Sequence, residues 1–252
     1  MDTNVLDWLE VTAAACPDKP AFLDEDGAVT FADVRREARI IGTAAARLRA
    51  GRKAPIAVMS GRNAHTPAVF LGAVYAGCCY APMDGTMPVH RLNSILNTLD
   101  TDLMIVQRAF YDKARTLEFS GEILIAEDLL EGCEDAALLA DCRARARELD
   151  PLSSSSPPAR PVRPRASSRR QHSLMCYIED YAGVSGIARE DGRSATSRRW
   201  TTSARPCATL SAAALRRNDG HHPEGTFSCR PERLFEYMND KGVTAVGGAS
   251  RR

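Results

Sequence analysis

Apolar periodicity runs through the first 150 residues and then stops. Residues 152–170 read LSSSSPPARPVRPRASSRR, with neither a helical nor an alternating apolar period and no glycine. A stretch of that kind has no face to bury, so it does not build a core of its own. The chain of 252 residues is thereby divided. Residues 1–150 can make a packed layer. Beyond them, aperiodic segments at 151–170 and 192–223 alternate with segments of ordinary composition at 171–191 (QHSLMCYIEDYAGVSGIARED) and 224–247 (EGTFSCRPERLFEYMNDKGVTAVG). Regular structure is expected in 1–150 and not in 152–170 or 192–223, leaving a disordered or irregular C-terminal half.

Charge divides the chain at the same place. Residues 1–150 hold 16 Lys and Arg against 23 Asp and Glu, whereas 151–252 hold 17 against 9, and 16 of those 17 are Arg. A basic, Ser- and Arg-rich half ordinarily suggests affinity for nucleic acid. Here a simpler account exists, because GC-rich codons read out of frame yield Arg, Ala, Pro and Ser. No specific nucleic-acid partner is expected. The cysteines Cys16, Cys78, Cys79, Cys133, Cys142, Cys176, Cys207 and Cys229 form no CxxC pair and no zinc-type cluster with His. Each reads as a small buried hydrophobe. No signal-peptide pattern and no membrane-length apolar run is present, so a cytoplasmic protein with reduced thiols and no membrane span is expected.

The first half alternates two periods. Val5, Leu6 and Leu9 start an amphipathic helix closed by Cys16-Pro17. Ala21–Leu23 and Val29–Phe31 flank an Asp/Gly turn and read as a hairpin. Val34, Ala38, Ile41, Ala45 and Leu48 recur at helical spacing up to Gly51. A buried strand at 55–59, a helix at 66–76 before Gly77, a strand at 79–81 stopped by Pro82 and a helix at 88–99 follow. Short strands at 103–106 and 123–125 come next, then an acidic helix at 134–148. This alternation predicts an α/β fold with a mainly parallel sheet. With its later strands missing, that sheet would keep one edge unpaired.

The aperiodic segments acquire meaning in another reading frame. Taking the last base of each codon with the first two of the next, Ser153–Ser154 and Ser154–Ser155 permit Ile, Ser155–Ser156 permits Phe and Ser156–Pro157 permits Thr. Continuing to Ser168, the shifted string is IIFTSGSTGxPKGVV. Ser194 to Ser203 permits GNQSPLDYI, in which the Asp is forced by the single Trp codon. In the other shifted frame, the last two bases of each codon with the first of the next, Arg216 to Pro223 permits GGTTVII, and in the first shifted frame Gly247-Gly248-Ala249 permits Gly-Trp-Ser. The chain reads as the product of a gene interrupted by small insertions or deletions and continuing, in another frame, past the printed end.

The shifted loop resembles the phosphate-binding loop of the adenylate-forming (AMP-binding) superfamily, the acyl-CoA synthetases and amino-acid adenylating enzymes. The printed residues carry the same resemblance. Pro17-Asp18-Lys19-Pro20-Ala21 with Val29-Thr30-Phe31-Ala32-Asp33-Val34 is similar to the family's opening, and Phe70 to Asp84 (FLGAVYAGCCYAPMD) to its "L-x-x-L-K-A-G-x-A-Y-V-P-x-D". Pro88-Val89-His90-Arg91-Leu92 matches the "P-x-x-R-L" that follows. The form of these motifs is nearest to amino-acid adenylating enzymes, D-alanine–carrier-protein ligases included.

The resemblance implies a ligase that activates a carboxylate as its adenylate with ATP and Mg²⁺, then loads it on the thiol of a carrier protein. The alternatives are a fragment of an acyl-CoA synthetase, with CoA as acceptor, or a non-catalytic product whose basic tail binds unspecifically. In such enzymes, glycine-rich backbone and a Lys cradle the phosphates of ATP. That loop is lost at 153–168; Ser153–Ser156 precede two prolines and lack glycine, so they do not replace it. The chain as printed is expected to be inactive and to bind neither ATP nor Mg²⁺. No residue is assigned a catalytic role. Asp84 and Tyr80 read as a turn and a strand side chain of the scaffold. His172 follows the lost loop, where the family often has a Ser/Thr-x-x-His segment, and is the candidate for contact with loop or substrate, against helix-start packing. His65 and His90 read as helix-surface residues and Arg91 as locally paired. His221-His222 resembles a metal pair but decodes as shifted isoleucines, so no metal site is expected.

Overall fold

The computed structural model describes residues 4–24, 26–49, 51, 53–155, 167–185, 193–196, 218–221, 239–240 and 245–247. Helix α1 (Val5–Ala15) opens on a reciprocal cap. Asn4 accepts from the Leu6 N–H at 3.0 Å, and Asp7 accepts from the Asn4 N–H at 3.2 Å. Strands β1 (Pro20–Leu23) and β2 (Ala28–Thr30) pair antiparallel across a turn tied by Asp24, which accepts from the N–H groups of Asp26 and Gly27. Helix α2 (Phe31–Arg49) follows, and the chain leaves it through Gly51 at φ 85°.

The larger sheet is built from β3 (Ile56–Ser60), β4 (Tyr80–Asp84), β5 (Leu103–Val106), β6 (Glu122–Ile125), β7 (Pro151–Ser155) and β8 (Ser167–Arg170). Their order is β6-β5-β3-β4-β7-β8, all parallel except the last pair. Helices α3 (Thr66–Tyr75) and α4 (Val89–Leu96) form the crossovers beside β3 and β4. A short 3₁₀ turn (Arg108–Phe110) leads into α5 (Tyr111–Ala114), and α6 (Ala126–Leu129), α7 (Ala136–Ala144) and α8 (Gln171–Ser185) follow along the chain.

The central strands are buried on both faces, as parallel strands under helices must be. Ile56 and Val58 of β3 with Leu103 and Ile105 of β5 join the core beneath α2 and α3. Ala57, Met59, Met104 and Val106 face the opposite way, onto Leu92, Ile95 and Leu96 of α4. Helices α2 and α3 cross so closely that a Cβ on Gly72 would stand 2.7 Å from Ile41 Cγ2, and one on Gly42 would stand 2.6 Å from Tyr75 Cβ.

Three local expectations are corrected. Strand β4 does not stop at Pro82; it runs to Asp84. The bonds Ile56 N–H to Cys79 O (2.8 Å) and Gly85 N–H to Ser60 O (3.0 Å) show that the odd-numbered residues of β4 face β3. Pro82 therefore turns its missing donor toward β7, where the register is confined to Tyr80 and Ser153. On α2, Leu48 is exposed and Arg49 takes the inward position. Its guanidinium pairs with Asp102 and donates to Pro55 O at 2.6 Å, so polar partners at the base of β3 and β5 fix the last turn. Cys78, Cys79 and Cys142 are buried, but Cys133 and Cys176 are exposed and Cys16 is half-buried.

The expected irregularity beyond residue 150 is also corrected at its margins. β7 and β8 pair with each other, β7 adds to the free edge of β4, and α8 follows. A second sheet, in the order β11-β9-β10-β1-β2, joins β9 (Arg193–Thr196), β10 (Asn218–His221) and β11 (Ala245–Gly247) to the first hairpin. Unpaired edge N–H and C=O groups recruit any extended chain, because sheet pairing is a backbone interaction and needs no apolar period. The rest of 152–170 and 192–223 lies outside the described residues.

Candidate functional site

The strands β3, β4, β5 and β7 are parallel and end on the same edge of the sheet. In open α/β sheets, ligands bind in the crevice beyond those carboxyl ends. Residues 156–166, where the shifted frame places the phosphate loop, spring from the end of β7 and return into β8, with Ser155 paired to Ser167. The connection between β7 and β8 thus leaves from the carboxyl-end edge of the sheet by topology. Its own residues lie outside those described.

The neighbouring strand ends are held by a hydrogen-bonded frame. Gln107, just past β5, accepts from the Gly61 N–H at 2.7 Å and donates to Thr66 Oγ1 at 3.3 Å. Asn63 caps the start of α3 by accepting from the N–H groups of His65 and Thr66. Asp24, from the hairpin turn, accepts from the Ala64 N–H at 2.6 Å. At the end of β4, Asp84 accepts from the Thr86 N–H and hydroxyl, while Lys113 donates to the carbonyls of Gly85 and Met87. Asp84 is a turn residue, as the sequence suggests. Tyr80 is a strand residue whose ring stacks on Phe70 at 4.6 Å.

A cleft of about 150 Å³ opens beside β3 and β5, lined by Glu37, Asn63, His65, Gln107 and Glu127 over apolar residues of α2, α3 and α6. His65 Nδ1 lies 2.9 Å from Glu37 Oε2, and this bond holds the imidazole above its ordinary pKa. His65 is exposed, as expected of a surface residue, yet it is engaged by a carboxylate that no sequence pattern singles out. Gln107 carries no sequence signal for the same reason: its partners are 46 and 41 residues away.

None of these side chains is poised for covalent chemistry. Burial pushes the Cys78 and Cys79 thiols up to about 11, away from the reactive thiolate. Among the described residues no group of three or more His, Cys, Asp and Glu could hold a metal ion. His90 is exposed on α4. His172 is exposed at the start of α8; its N–H donates to Glu148 O and its ring meets Cys176. His221 lies in β10, and His222 lies outside the described residues. No described helix is long and apolar enough to cross a membrane.

Comparison with known proteins agrees with this architecture. Over 130 residues the chain is 28% identical to one of the subunits of mycosubtilin synthase from Bacillus subtilis, covering 52% of this chain and 5% of that one. It is 24% identical over 135 residues to a D-alanine–D-alanyl carrier protein ligase of Listeria welshimeri, covering 53% of this chain and 26% of the ligase. The chain thus spans only a minor part of the curated relatives it matches. The fold superposes on that of VinN in complex with L-aspartate with a TM-score of 0.80 at 16% identity, over 96% of this chain and 66% of that one. The profile of the AMP-binding enzymes matches residues 9–177, well over half of the sequence, and the chain therefore belongs to that family of adenylate-forming enzymes.

Proposed function

We propose that this chain is the opening part of a ligase that activates an amino acid as its adenylate for transfer to a carrier-protein thiol, and that in its present form it does not catalyse that reaction. The observation that carries both halves of the reading is the β7–β8 hairpin. It stands at the ligand-binding edge of the sheet, yet between its strands it presents Pro, Ala, Val and Arg with neither glycine nor lysine. The similarity to peptide synthetases and to a D-alanyl carrier protein ligase supports an amino acid as the substrate class and a carrier protein as the partner.

In an adenylate-forming reaction the substrate carboxylate attacks the α-phosphorus of ATP and pyrophosphate leaves in line. Backbone N–H groups and a Lys from the loop balance the charge on the departing phosphates. The residues present do not fit that task. The sequence at 156–166 holds four prolines and three arginines in place of the glycines that let a backbone approach phosphate closely, and arginine side chains do not replace a cradle of N–H donors. Removing even one preorganised donor of this kind costs roughly 100–1000-fold in rate. What this chain does supply is the frame: Gln107 ties the end of β5 to the loop after β3, while Asn63 and Asp84 shape the turns that follow β3 and β4.

Carboxylate-dependent exchange of labelled pyrophosphate into ATP tests the reading. The chain as it stands should show none with any amino acid, above a denatured control. Exchange with D-alanine or another amino acid would show that a different loop supports the reaction and would overturn the inactive half of the proposal.

A further inference from the structure

The outer face of α8 carries a thiol and an imidazole one helical turn apart. Gln171, Leu174, Met175 and Ile178 are buried and fix the phase of the helix. His172 and Cys176, at i and i+4, are consequently held on the exposed face. Cys176 Sγ lies 3.6 Å from His172 Nε2. A tetrahedral zinc-type ion takes sulfur at about 2.3 Å and imidazole nitrogen at about 2.05 Å, which places the two ligand atoms about 3.6 Å apart. The pair therefore already has the bite of a tetrahedral cation. The electrostatic setting is mixed. Glu179 and Asp180 are exposed on the next turn and attract a cation, while Arg169 and Arg170 precede the helix and oppose it.

We propose that His172 and Cys176 form a two-point surface chelate for a borderline-soft divalent cation of the zinc type, with water filling the remaining positions. The absence of any three-ligand group among the described residues makes this an open surface site, unlike the closed four-ligand sites that fold small domains. Binding breaks the S–H bond of Cys176, forms an S–metal bond and delivers the proton to solvent. His172 contributes the lone pair of Nε2 and keeps its proton on Nδ1. The cation stays divalent throughout and nothing is oxidised or reduced.

The test is a Co²⁺ titration of the full chain, its thiols kept reduced by a phosphine. At about pH 7.5 the unaltered chain should take up one equivalent, develop a near-ultraviolet thiolate-to-cobalt band and release about one proton per ion. Cys176→Ser should abolish the band and the proton release. His172→Ala should weaken binding by ~10-fold or more, since even changes behind the ligands cost that much. Cys133→Ser, which removes the exposed thiol ahead of α7, should change neither. Zn²⁺ should also slow alkylation of Cys176, read by mass spectrometry, in the unaltered chain and not in His172→Ala. A silent titration, a band that survives Cys176→Ser, or equal affinity in His172→Ala would each overturn the site.

Discussion

Glu37 Oε2 and His65 Nδ1 stand 2.9 Å apart between α2 and the start of α3, the carboxylate side chain 5% exposed and the imidazole 55%. The pair clamps the helix that launches from the binding edge onto the helix that covers the sheet. Hydrogen bonding to Glu37 raises the His65 pKa, with smaller contributions from Asp24 and Asp33. A group whose pKa is higher folded than unfolded stabilises the fold fully below its unfolded value and progressively less as pH rises through the folded one. Denaturation midpoints measured between about pH 5.5 and about pH 8.5 should therefore carry a falling component from this pair, present in full below the ordinary value near 6.5. Glu37→Gln should flatten that component. An unchanged slope in Glu37→Gln would assign it to other groups.

Arg49 and Asp102 make an asymmetric pair, because the Arg49 side chain is 1% exposed and the Asp102 side chain 47%. Removing the acid leaves a buried guanidinium without its counter-charge, a change that typically costs about 3–5 kcal/mol. Removing both charges avoids that penalty. Asp102→Asn should thus destabilise the fold more than the double variant Arg49→Met with Asp102→Asn. Urea unfolding of the two proteins decides it, and equal losses would show that Pro55 O and Thr101 alone satisfy the guanidinium.

Gly72 is a packing glycine. In α3 an alanine is normally favoured over glycine by roughly 1 kcal/mol. Here its Cβ would meet Ile41 Cγ2 at 2.7 Å, Ile41 Cβ at 2.9 Å and the Ala38 carbonyl at 3.2 Å. Neither a branched core residue nor a helix backbone yields easily, and overpacking costs about 1–3 kcal/mol. Gly72→Ala should lower stability on balance, as a drop in the thermal midpoint. A rise would mean that α2 and α3 can separate without loss.

How much of the fold is legible in the sequence depends on how local the cause is. Val34, Ala38, Ile41 and Ala45 reveal the buried stripe of α2 because their periodicity is set by the helix itself. Leu48 breaks the pattern because the base of the sheet offers Arg49 an ion pair and carbonyls, which no periodicity records. Pro82 misleads because the direction in which a strand residue points its N–H depends on which neighbour it has. β7 and β8 are unreadable for a deeper reason: their side chains carry no strand signal, and only the vacant edge of β4 dictates them. The Glu37–His65 contact is visible only in three dimensions, because its partners are 28 residues apart.

Ser153 and Ser154 of β7 are 4% and 6% exposed, and the shifted frame writes isoleucine at both places. A strand buried between β4 and β8 is a site for Val, Ile and Leu. If the shifted frame is the ancestral text, the space around these hydroxyls accepts larger apolar groups. The variant Ser153→Ile with Ser154→Ile should then stabilise the chain, burial of each side chain contributing about 1.5–3 kcal/mol less whatever repacking costs. Destabilisation in chemical unfolding would count against the frame reading at this strand.

Repair of the whole frame makes the strongest claim. Residues 153–168 would become IIFTSGSTGxPKGVV, 194–203 would become GNQSPLDYI and 216–223 would become GGTTVII, with translation continuing past Gly247 in the frame that gives Gly-Trp-Ser. The first change gives β7 and β8 apolar side chains and puts a glycine-rich loop, with its N–H groups and a Lys, at the edge where β3, β4 and β5 end. The second and third rewrite the sequence around β9 and β10, which pair with each other and with the opening hairpin. Repair of the loop alone should not restore activity, because the second sheet would keep its aperiodic strands. The fully repaired gene should yield a protein that exchanges pyrophosphate into ATP when given a small amino acid, D-alanine being the first to try. Activation of fatty or aryl acids alone would leave the adenylate-forming chemistry standing and remove the amino acid. A repaired protein that folds and exchanges with no carboxylate at all would remove the frame reading itself.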